Sequence, residues 1–300
     1  MLPMPTSVAD GVRYYSSRPL HELTDTDRVI VLIHGVGTSL DFWCATAPAL
    51  GVRDRVLALD LPGSGDSDPP IGSYDLHSVA QATCDFLAKR NLRRVTLVGH
   101  SLGALVALQM TAIHPELAAK VVLVDPTLFA VERVLTSLRG AVFDPGLLLL
   151  TVAQLLGVAL PPAVTGKLVH LKSFRVIFLH PYFADPAALD SRILEVALSK
   201  TGGIRAKRLP KVIAAARHVK LAKLISRVSP PLVMIHGNVD PLIKQDDIDT
   251  VRHLANLSQT IIIQNCGHMP MLERPNVLVD LIRKIHNDIG TNDGARHRAE

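Results

Sequence analysis

The chain of 300 residues is 48% hydrophobic and 20% charged, which is typical of a folded globular protein with a sizeable core. Its three cysteines, Cys44, Cys84 and Cys266, are odd in number and widely spaced, so they indicate neither a disulfide framework nor a zinc site and favour a reducing compartment. The N-terminal segment lacks the basic and apolar regions of a secretory signal. We therefore expect a cytoplasmic protein, with no metal and no other cofactor.

Two short apolar runs in the first third of the chain predict strands, at Arg28–Ile33 (RVIVLI) and Arg55–Leu59 (RVLAL). Each ends in a glycine-rich turn, HGVG at His34–Gly37 and DLPGSG at Asp60–Gly65. The segment Leu76–Arg90 has apolar residues at helical spacing and predicts a helix. This alternation is typical of parallel strands that feed helices.

The stretch VTLVGHSLGALVAL places Ser101 between Gly99 and Gly103, with a predicted strand at Val95–Val98 before it and a predicted helix to about His114 after it. The two glycines permit a sharp strand-to-helix turn that lifts the serine hydroxyl clear of the sheet, beside the amides of a helix N-terminus. The pattern therefore predicts a nucleophile rather than an ordinary tight turn.

A further strand is predicted at Lys120–Pro126, and then about a hundred helix-like residues intervene before the alternation resumes. The later elements are predicted as two strands and two helices: Pro231–Asp240, Gln245–Leu257, Thr260–Cys266 and Pro275 to about Ile289. This order predicts an α/β fold with a mostly parallel sheet and helices on both faces. We expect residues 1–126 and 230–290 to form the core, residues 127–229 an inserted helical cap, and residues 291–300 a disordered tail.

A serine needs a base, and the base needs a partner that fixes its tautomer. Among thirteen histidines, His268 lies in a glycine-flanked loop after a predicted strand, which favours it as the base. Asp240 lies at the end of the preceding predicted strand, and the chain order serine, acid, histidine suits this scaffold. Asp125 also ends a strand and remains the alternative acid.

A tetrahedral intermediate needs amide donors for its oxyanion. The amide of Leu102, directly after the serine, is expected to supply one donor. The loop HGVG is expected to supply the other from Val36, with His34, Gly35 and Gly37 supporting the turn.

Six motifs together resemble the α/β-hydrolase superfamily: LIHGVG followed by an FW pair, LALDLPGSGDS, LVGHSLGALVAL, VVLVDP, LVMIHGNVDPLI and NCGHMPMLERP. The chain is most similar to its capped serine hydrolases, which include carboxylesterases, carrier-protein methyl-ester esterases, lactonases and carbon–carbon bond hydrolases. The resemblance implies Ser101, Asp240 and His268 as the catalytic triad. It also implies an α/β-hydrolase fold.

The positive charge of the chain is concentrated in residues 127–229, which hold fifteen lysines and arginines and five acidic residues. A solvated helix face explains this charge, but an acidic partner would also fit: acyl carrier protein, coenzyme A or an anionic membrane surface. The uncharged run Pro145–Gly166 is broken by prolines and glycines and is interpreted as a lid helix, not a membrane span. Few aromatic residues and no recognised module argue against nucleic acid.

The sequence thus predicts a serine hydrolase that cleaves an ester or thioester with a hydrophobic acyl group through an acyl-enzyme. Two alternatives remain open. One is a hydrolase of a carbon–carbon bond in a vinylogous diketone, and the other is a non-hydrolytic acyltransferase or cyclase.

Overall fold

The structure is a computed structural model that describes nine parts of the chain: residues 4–22, 28–35, 37–127, 164, 167–179, 182–198, 221–240, 242–255 and 257–288. Three sequence predictions therefore lie wholly or mostly outside the described residues. They concern the Val36 amide, the run Pro145–Gly166 and the C-terminal tail.

Eight strands form one sheet, and they are β1 Ser7–Ala9, β2 Val12–Ser16, β3 Val29–Ile33, β4 Arg55–Leu59, β5 Val95–His100, β6 Ala118–Val124, β7 Leu232–Gly237 and β8 Leu257–Ile263. Their order across the sheet is β1-β2-β4-β3-β5-β6-β7-β8. The pairs β1–β2 and β2–β4 are antiparallel, and the other pairs are parallel. The carboxyl ends of six parallel strands therefore open on the same edge of the sheet.

The described residues contain nine α-helices: α1 Thr46–Gly51, α2 Leu76–Ala88, α3 Leu102–Ile113, α4 Lys172–Leu179, α5 Ser191–Leu198, α6 Leu221–Ile225, α7 Gln245–Leu254, α8 Pro270–Glu273 and α9 Pro275–Asn287. Short 3₁₀ turns lie at Leu20–Glu22, Leu40–Trp43 and Pro115–Leu117. Helices α4, α5 and α6 belong to the segment between β6 and β7. None of the helices in the described part of the chain combines the length and the apolarity that crossing a membrane requires.

Strand β3 shows why the sheet is covered on both faces. All five of its side chains are fully buried. Val29, Val31 and Ile33 pack on one side with residues of α2, α3 and α7, whereas Ile30 and Leu32 pack on the other with residues of α1, α5 and α9. A continuous apolar run is what a parallel strand needs when helices lie on both faces.

These observations confirm the predicted α/β class, with a mostly parallel sheet and helices on both faces. The predicted helix Gln245–Leu257 ends at Leu254 instead, and β8 begins at Leu257, not at Thr260. The ends of the last two strands also differ from the sequence prediction: β7 ends at Gly237, three residues before Asp240, and β8 ends at Ile263, three residues before Cys266. Both continuations are turns whose backbone amides bond across the β7 and β8 loops, such as Val239 N–H to Cys266 O at 3.1 Å. The N-terminal strands β1 and β2 were not predicted at all.

Candidate active site

Ser101 occupies a tight turn between β5 and α3 and has φ 54° and ψ −120°, a conformation that non-glycine residues rarely adopt. The neighbouring glycines allow the close packing that holds this turn. A Cβ on Gly103 would lie 2.5 Å from the carbonyl oxygens of Ile33 and His34, and a Cβ on Gly99 would collide with the Gly103 carbonyl. The turn is therefore built on backbone contacts that leave no room for a methyl group.

The Ser101 hydroxyl is buried at the carboxyl ends of β5 and β6. The Ser101 N–H donates to Val124 O at 2.9 Å, and Oγ lies 3.2 Å from Thr127 Oγ1. Within the described ranges, the hydrogen-bond partner of this hydroxyl is thus Thr127 and not His268.

His268 and Asp240 are brought together by the loops that follow β8 and β7. His268 Nδ1 lies 2.7 Å from Asp240 Oδ2, and both side chains are buried. Burial alone would raise the pKa of Asp240, but the hydrogen bonds from His268 and from the Leu242 amide hold that pKa below its ordinary value. An ionised carboxylate accepts from Nδ1–H, which leaves the lone pair of His268 on Nε2.

The loop around His268 is fixed from several sides. His268 N–H donates to Tyr182 O at 2.7 Å, and His100 Nε2 donates to His268 O at 2.8 Å. Glu273 accepts from the amides of Gly267 at 3.0 Å and Ala184 at 2.7 Å. Burial raises the pKa of Glu273, although these amides partly oppose the rise.

His100 is a neutral structural residue in this arrangement. Complete burial, followed by the nearby His268, lowers the pKa of His100 to about 3. Because a carbonyl can only accept, the proton of the neutral ring is on Nε2, which faces His268 O. His100 thus supports the loop and does not compete with His268 for a proton near neutral pH.

Asp125 directly follows β6 and has φ 41°. Its side chain is completely buried, and Oδ1 accepts from Gly237 N–H at 2.9 Å. One oxygen of Asp125, one oxygen of Asp240 and a ring nitrogen of His268 all lie within 4.8 Å of one another. Both candidate acids therefore reach the histidine region, but Asp240 makes the 2.7 Å bond.

These three side chains are also the donor set that could hold a metal ion within the part of the chain that the structure describes. Two carboxylates and an imidazole suit a divalent metal. The hydrogen bond between His268 and Asp240 already uses one atom of each, and the sequence prediction that no metal is needed stays a prediction.

The turn after β3 lies directly against Ser101. A Cβ on Gly35 would lie 3.1 Å from Ser101 Cβ, and Thr38 Oγ1 donates to Gly35 O at 2.9 Å. His34 Nε2 accepts from the Leu61 N–H at 3.0 Å, so this ring fixes the turn and is not a base. Gly37 has φ 70°, whereas the predicted donor beside it, Val36, lies outside the described residues.

Leu102 begins α3. The amides in the first turn of a helix have no acceptor within the helix. The Leu102 N–H therefore has no acceptor within α3, and its role as an oxyanion donor stays a prediction.

Sequence reasoning missed three residues that support the site: Thr127, Tyr182 and Glu273. Glu273 lies within the motif NCGHMPMLERP, five residues after the histidine, so its position was a usable signal. Thr127 and Tyr182 belong to no motif, and only the folded chain brings them to Ser101 and His268.

A sequence model of the alpha/beta hydrolase fold matches residues 28–275. The chain therefore belongs to the α/β-hydrolase family, as its motifs predicted.

Particular relatives cover different shares of the chain. An uncharacterized protein of Mycobacterium tuberculosis is 40% identical over 96 residues, which are 32% of this chain and only 28% of that protein. A pimeloyl-[acyl-carrier protein] methyl ester esterase of Vibrio cholerae is 28% identical over 247 residues, which are 81% of this chain and 88% of the esterase.

Among solved structures, a membrane phospholipase A described as a bacterial virulence factor has a TM-score of 0.68 and 24% identity. The match covers 93% of this chain and 84% of the phospholipase. This likeness shows a shared fold.

Proposed function

We propose that this protein is a serine hydrolase that cleaves an ester or thioester with a hydrophobic acyl group. The observation that carries this proposal is the buried 2.7 Å contact between His268 Nδ1 and Asp240 Oδ2, because it leaves Nε2 as the basic atom of the ring. Membership of the α/β-hydrolase family and the conformation of Ser101 support it further.

In the proposed reaction, Ser101 Oγ attacks the substrate carbonyl while His268 Nε2 takes the hydroxyl proton. Asp240 holds the ring in the required tautomer and stabilises the imidazolium that forms. His268 then returns the proton to the leaving group, and an acyl-enzyme remains. A water molecule attacks this acyl group with His268 again as the base, which releases the acid and restores Ser101.

The oxyanion of each tetrahedral intermediate would be stabilised by the amides of Leu102 and Val36. The position of Leu102 at the start of α3 supports its part in this proposal. The packing of Gly35 against Ser101 supports the same role for the turn after β3.

The proposed chemistry also requires the Ser101 hydroxyl to exchange its hydrogen bond with Thr127 for one with His268. Its neighbour Thr127 Oγ1 is at 3.2 Å, and attack requires Oγ to point to His268 Nε2 instead. A rotation of the serine side chain would make this exchange, since hydrogen bonds at a catalytic site often tighten only when substrate is bound.

We further propose that residues 127–229 form a cap on a core of residues 1–126 and 230–290, and that the cap contributes to the acyl pocket. Two contacts support this division: Thr127 at its start touches Ser101, and Tyr182 within it accepts from the His268 amide. The Vibrio relative, by its name, acts on an ester of an acyl carrier protein. A carrier-linked acyl substrate is therefore our first choice, with the basic residues of the cap as its contact surface.

Active-site labelling tests the nucleophile. A fluorophosphonate should label the native protein, and Ser101→Ala should lose both the label and at least about 10⁴-fold in ester hydrolysis. Ser73→Ala, which changes an exposed serine, is the matched control and should label normally. Persistent labelling of Ser101→Ala would show that another residue is the nucleophile.

A substrate panel tests the reaction. Methyl esters and thioesters of graded acyl length should be hydrolysed, and turnover of carrier-linked substrates should fall as ionic strength rises. Turnover of carrier-linked substrates that does not change with salt would contradict the proposal that basic residues of the cap contact the carrier. Cleavage of a vinylogous diketone without ester turnover, or acyl transfer to an added alcohol or amine in place of hydrolysis, would contradict the proposed function.

A further inference from the structure

We propose that Asp125 keeps its proton in the folded protein and donates a hydrogen bond to Asp240, so that the two buried carboxyls share one proton beside His268. Asp125 is then a positioning residue that acts on the histidine through Asp240. Its effect on catalysis rests on the proposed function, whereas its protonation does not.

The hydrogen bonds of Asp125 are incomplete without that proton. Oδ1 accepts from Gly237 N–H, but Oδ2 is buried without a donor among the residues that the structure describes. A buried carboxylate oxygen without a donor is strongly destabilising. A proton on this carboxyl turns it from an unsatisfied acceptor into a donor, and the neighbouring acceptor is Asp240, which has an oxygen within 4.8 Å of an Asp125 oxygen.

The two carboxyls differ in how many donors they face, which decides where the single proton lies. Asp240 accepts from His268 Nδ1 at 2.7 Å and from the Leu242 amide at 2.8 Å. Among the described residues, Asp125 accepts only from the Gly237 amide. Two like charges within 4.8 Å of each other in a buried site strongly disfavour each other, so Asp240, which accepts more hydrogen bonds, is the ionised member.

The electrostatic surroundings point in the same direction. Complete burial, and then the charge of Asp240, raise the pKa of Asp125 well above its ordinary value. The Glu273 carboxyl adds to the rise. Among the described residues, the titratable groups around Asp125 from the loops after β7 and β8 and from α8 are Asp240, Cys266, His268 and Glu273.

The hydrogen bond that Asp125 donates to Asp240 affects how Asp240 acts on His268. It holds the carboxylate in place and takes up part of its charge, so Asp240 stabilises the His268 imidazolium less strongly than an unshared carboxylate would. This is a role for Asp125 that differs from serving as the acid itself.

The activity test compares two substitutions at one position. Asp125→Asn offers an amide oxygen to Gly237 and an amide N–H to Asp240, and asparagine also tolerates a positive φ. It should retain kcat/KM within about threefold of the native protein. Asp125→Gly accepts φ 41° but removes the donor, and should lose at least about tenfold, the equivalent of one buried hydrogen bond.

The pH profile separates this role from packing. In Asp125→Gly, the acid limb of the kcat/KM profile should move to higher pH because Asp240 no longer shares its charge. In Asp125→Asn the limb should stay in place. The proposal would be overturned if the acid limb of Asp125→Gly stayed in place. It would also be overturned if Asp125→Asn were as inactive as Asp240→Asn, because Asp125 would then be the ionised acid.

A stability measurement tests the proton independently of activity. Because the pKa of Asp125 is raised in the folded state, the native protein loses stability as pH rises above the unfolded value, about 3.9. Asparagine does not titrate, so the Tm advantage of Asp125→Asn should grow from about pH 4 to about pH 7. A difference that is constant or falls with pH would contradict a protonated Asp125. Failure of the proposed function would appear separately, as a native protein that fluorophosphonate does not label.

Discussion

Ser101 combines a reactive position with an unfavourable backbone conformation. A non-glycine residue at φ 54° is held there only when its surroundings leave it no alternative. The surroundings here are the backbone carbonyls of Ile33 and His34, against which Gly103 packs without a side chain. The strained backbone of Ser101 and the absence of a side chain at Gly103 thus depend on the same close packing.

Gly103→Ala should therefore disturb the nucleophile from two residues away. The added methyl group would lie 2.5 Å from two backbone carbonyl oxygens, which cannot rotate aside as a side chain can. We expect a loss of about 1–3 kcal/mol in the free energy of unfolding and slower labelling of Ser101. Denaturant unfolding and labelling rates measure the two effects.

The matched control is Gln109→Ala, which changes a partly buried side chain on the same helix. It should leave the labelling rate unchanged. Equal labelling rates for Gly103→Ala and the native protein would show that the turn accommodates a methyl group, contrary to this account.

The sequence predicted some of the site residues but not others. The GxSxG spacing and the post-strand loops nominated Ser101, Asp240 and His268, because these positions depend on local turn chemistry. The incomplete bonding of Asp125 and the Ser101–Thr127 contact arise from the packing of loops after different strands. No local pattern carries that information, so they could not be predicted.

The element that presents His268 is a loop between β8 and α8, and α8 holds it through Glu273. This carboxylate accepts from the amides of Gly267 and Met269 with one oxygen and from Ala184 with the other. The loop is therefore tied both to the helix that follows it and to the segment between β6 and β7.

Glu273→Gln should loosen this loop without changing the size of the side chain. A glutamine has one acceptor oxygen in place of two, and its NH₂ group would face an amide donor. We expect about 1–3 kcal/mol of lost stability and a lower kcat in ester hydrolysis. Thermal unfolding and steady-state kinetics measure these changes.

Glu195→Gln on α5 provides a comparison, since Glu195 is an exposed carboxylate paired with His170. Its free energy of unfolding should change by no more than about 0.5 kcal/mol. If both glutamine variants changed the free energy of unfolding equally little, Glu273 would not stabilise the loop that carries His268.

Strands β3, β4, β5 and β6 were predicted within two residues at every end, because a parallel strand buried on both faces is a β-branched run bounded by turn residues. Strands β1 and β2 were missed for the opposite reason. They are short antiparallel strands at the edge of the sheet with mixed polar and apolar residues, and the pairing of β2 with β4 joins residues far apart in the sequence.

At the scale of the whole molecule, a buried ion network joins this edge hairpin to the rest of the domain. Arg13 on β2 makes two 2.8 Å bonds to Asp41 and one of 3.2 Å to Asp60. Asp60 also accepts from the amides of Leu40 and Asp66. One guanidinium thus connects β2, the 3₁₀ turn after β3 and the DLPGSG loop after β4.

Arg13→Met should be strongly destabilising because it leaves two buried carboxylates without their cation. Removing one partner of a buried ion network costs about 3–5 kcal/mol, and the effect should extend beyond the hairpin to the loops that carry Asp41 and Asp60. Denaturant unfolding would measure the loss, and hydrogen exchange would show faster exchange at the Leu40 and Asp66 amides. Arg53→Met, at an exposed arginine, should change stability by no more than about 0.5 kcal/mol. If Arg13→Met were equally mild, the Ser39 hydroxyl would have to satisfy Asp41 and the Leu40 and Asp66 amides would have to satisfy Asp60, and the network would not be what joins the hairpin to the sheet.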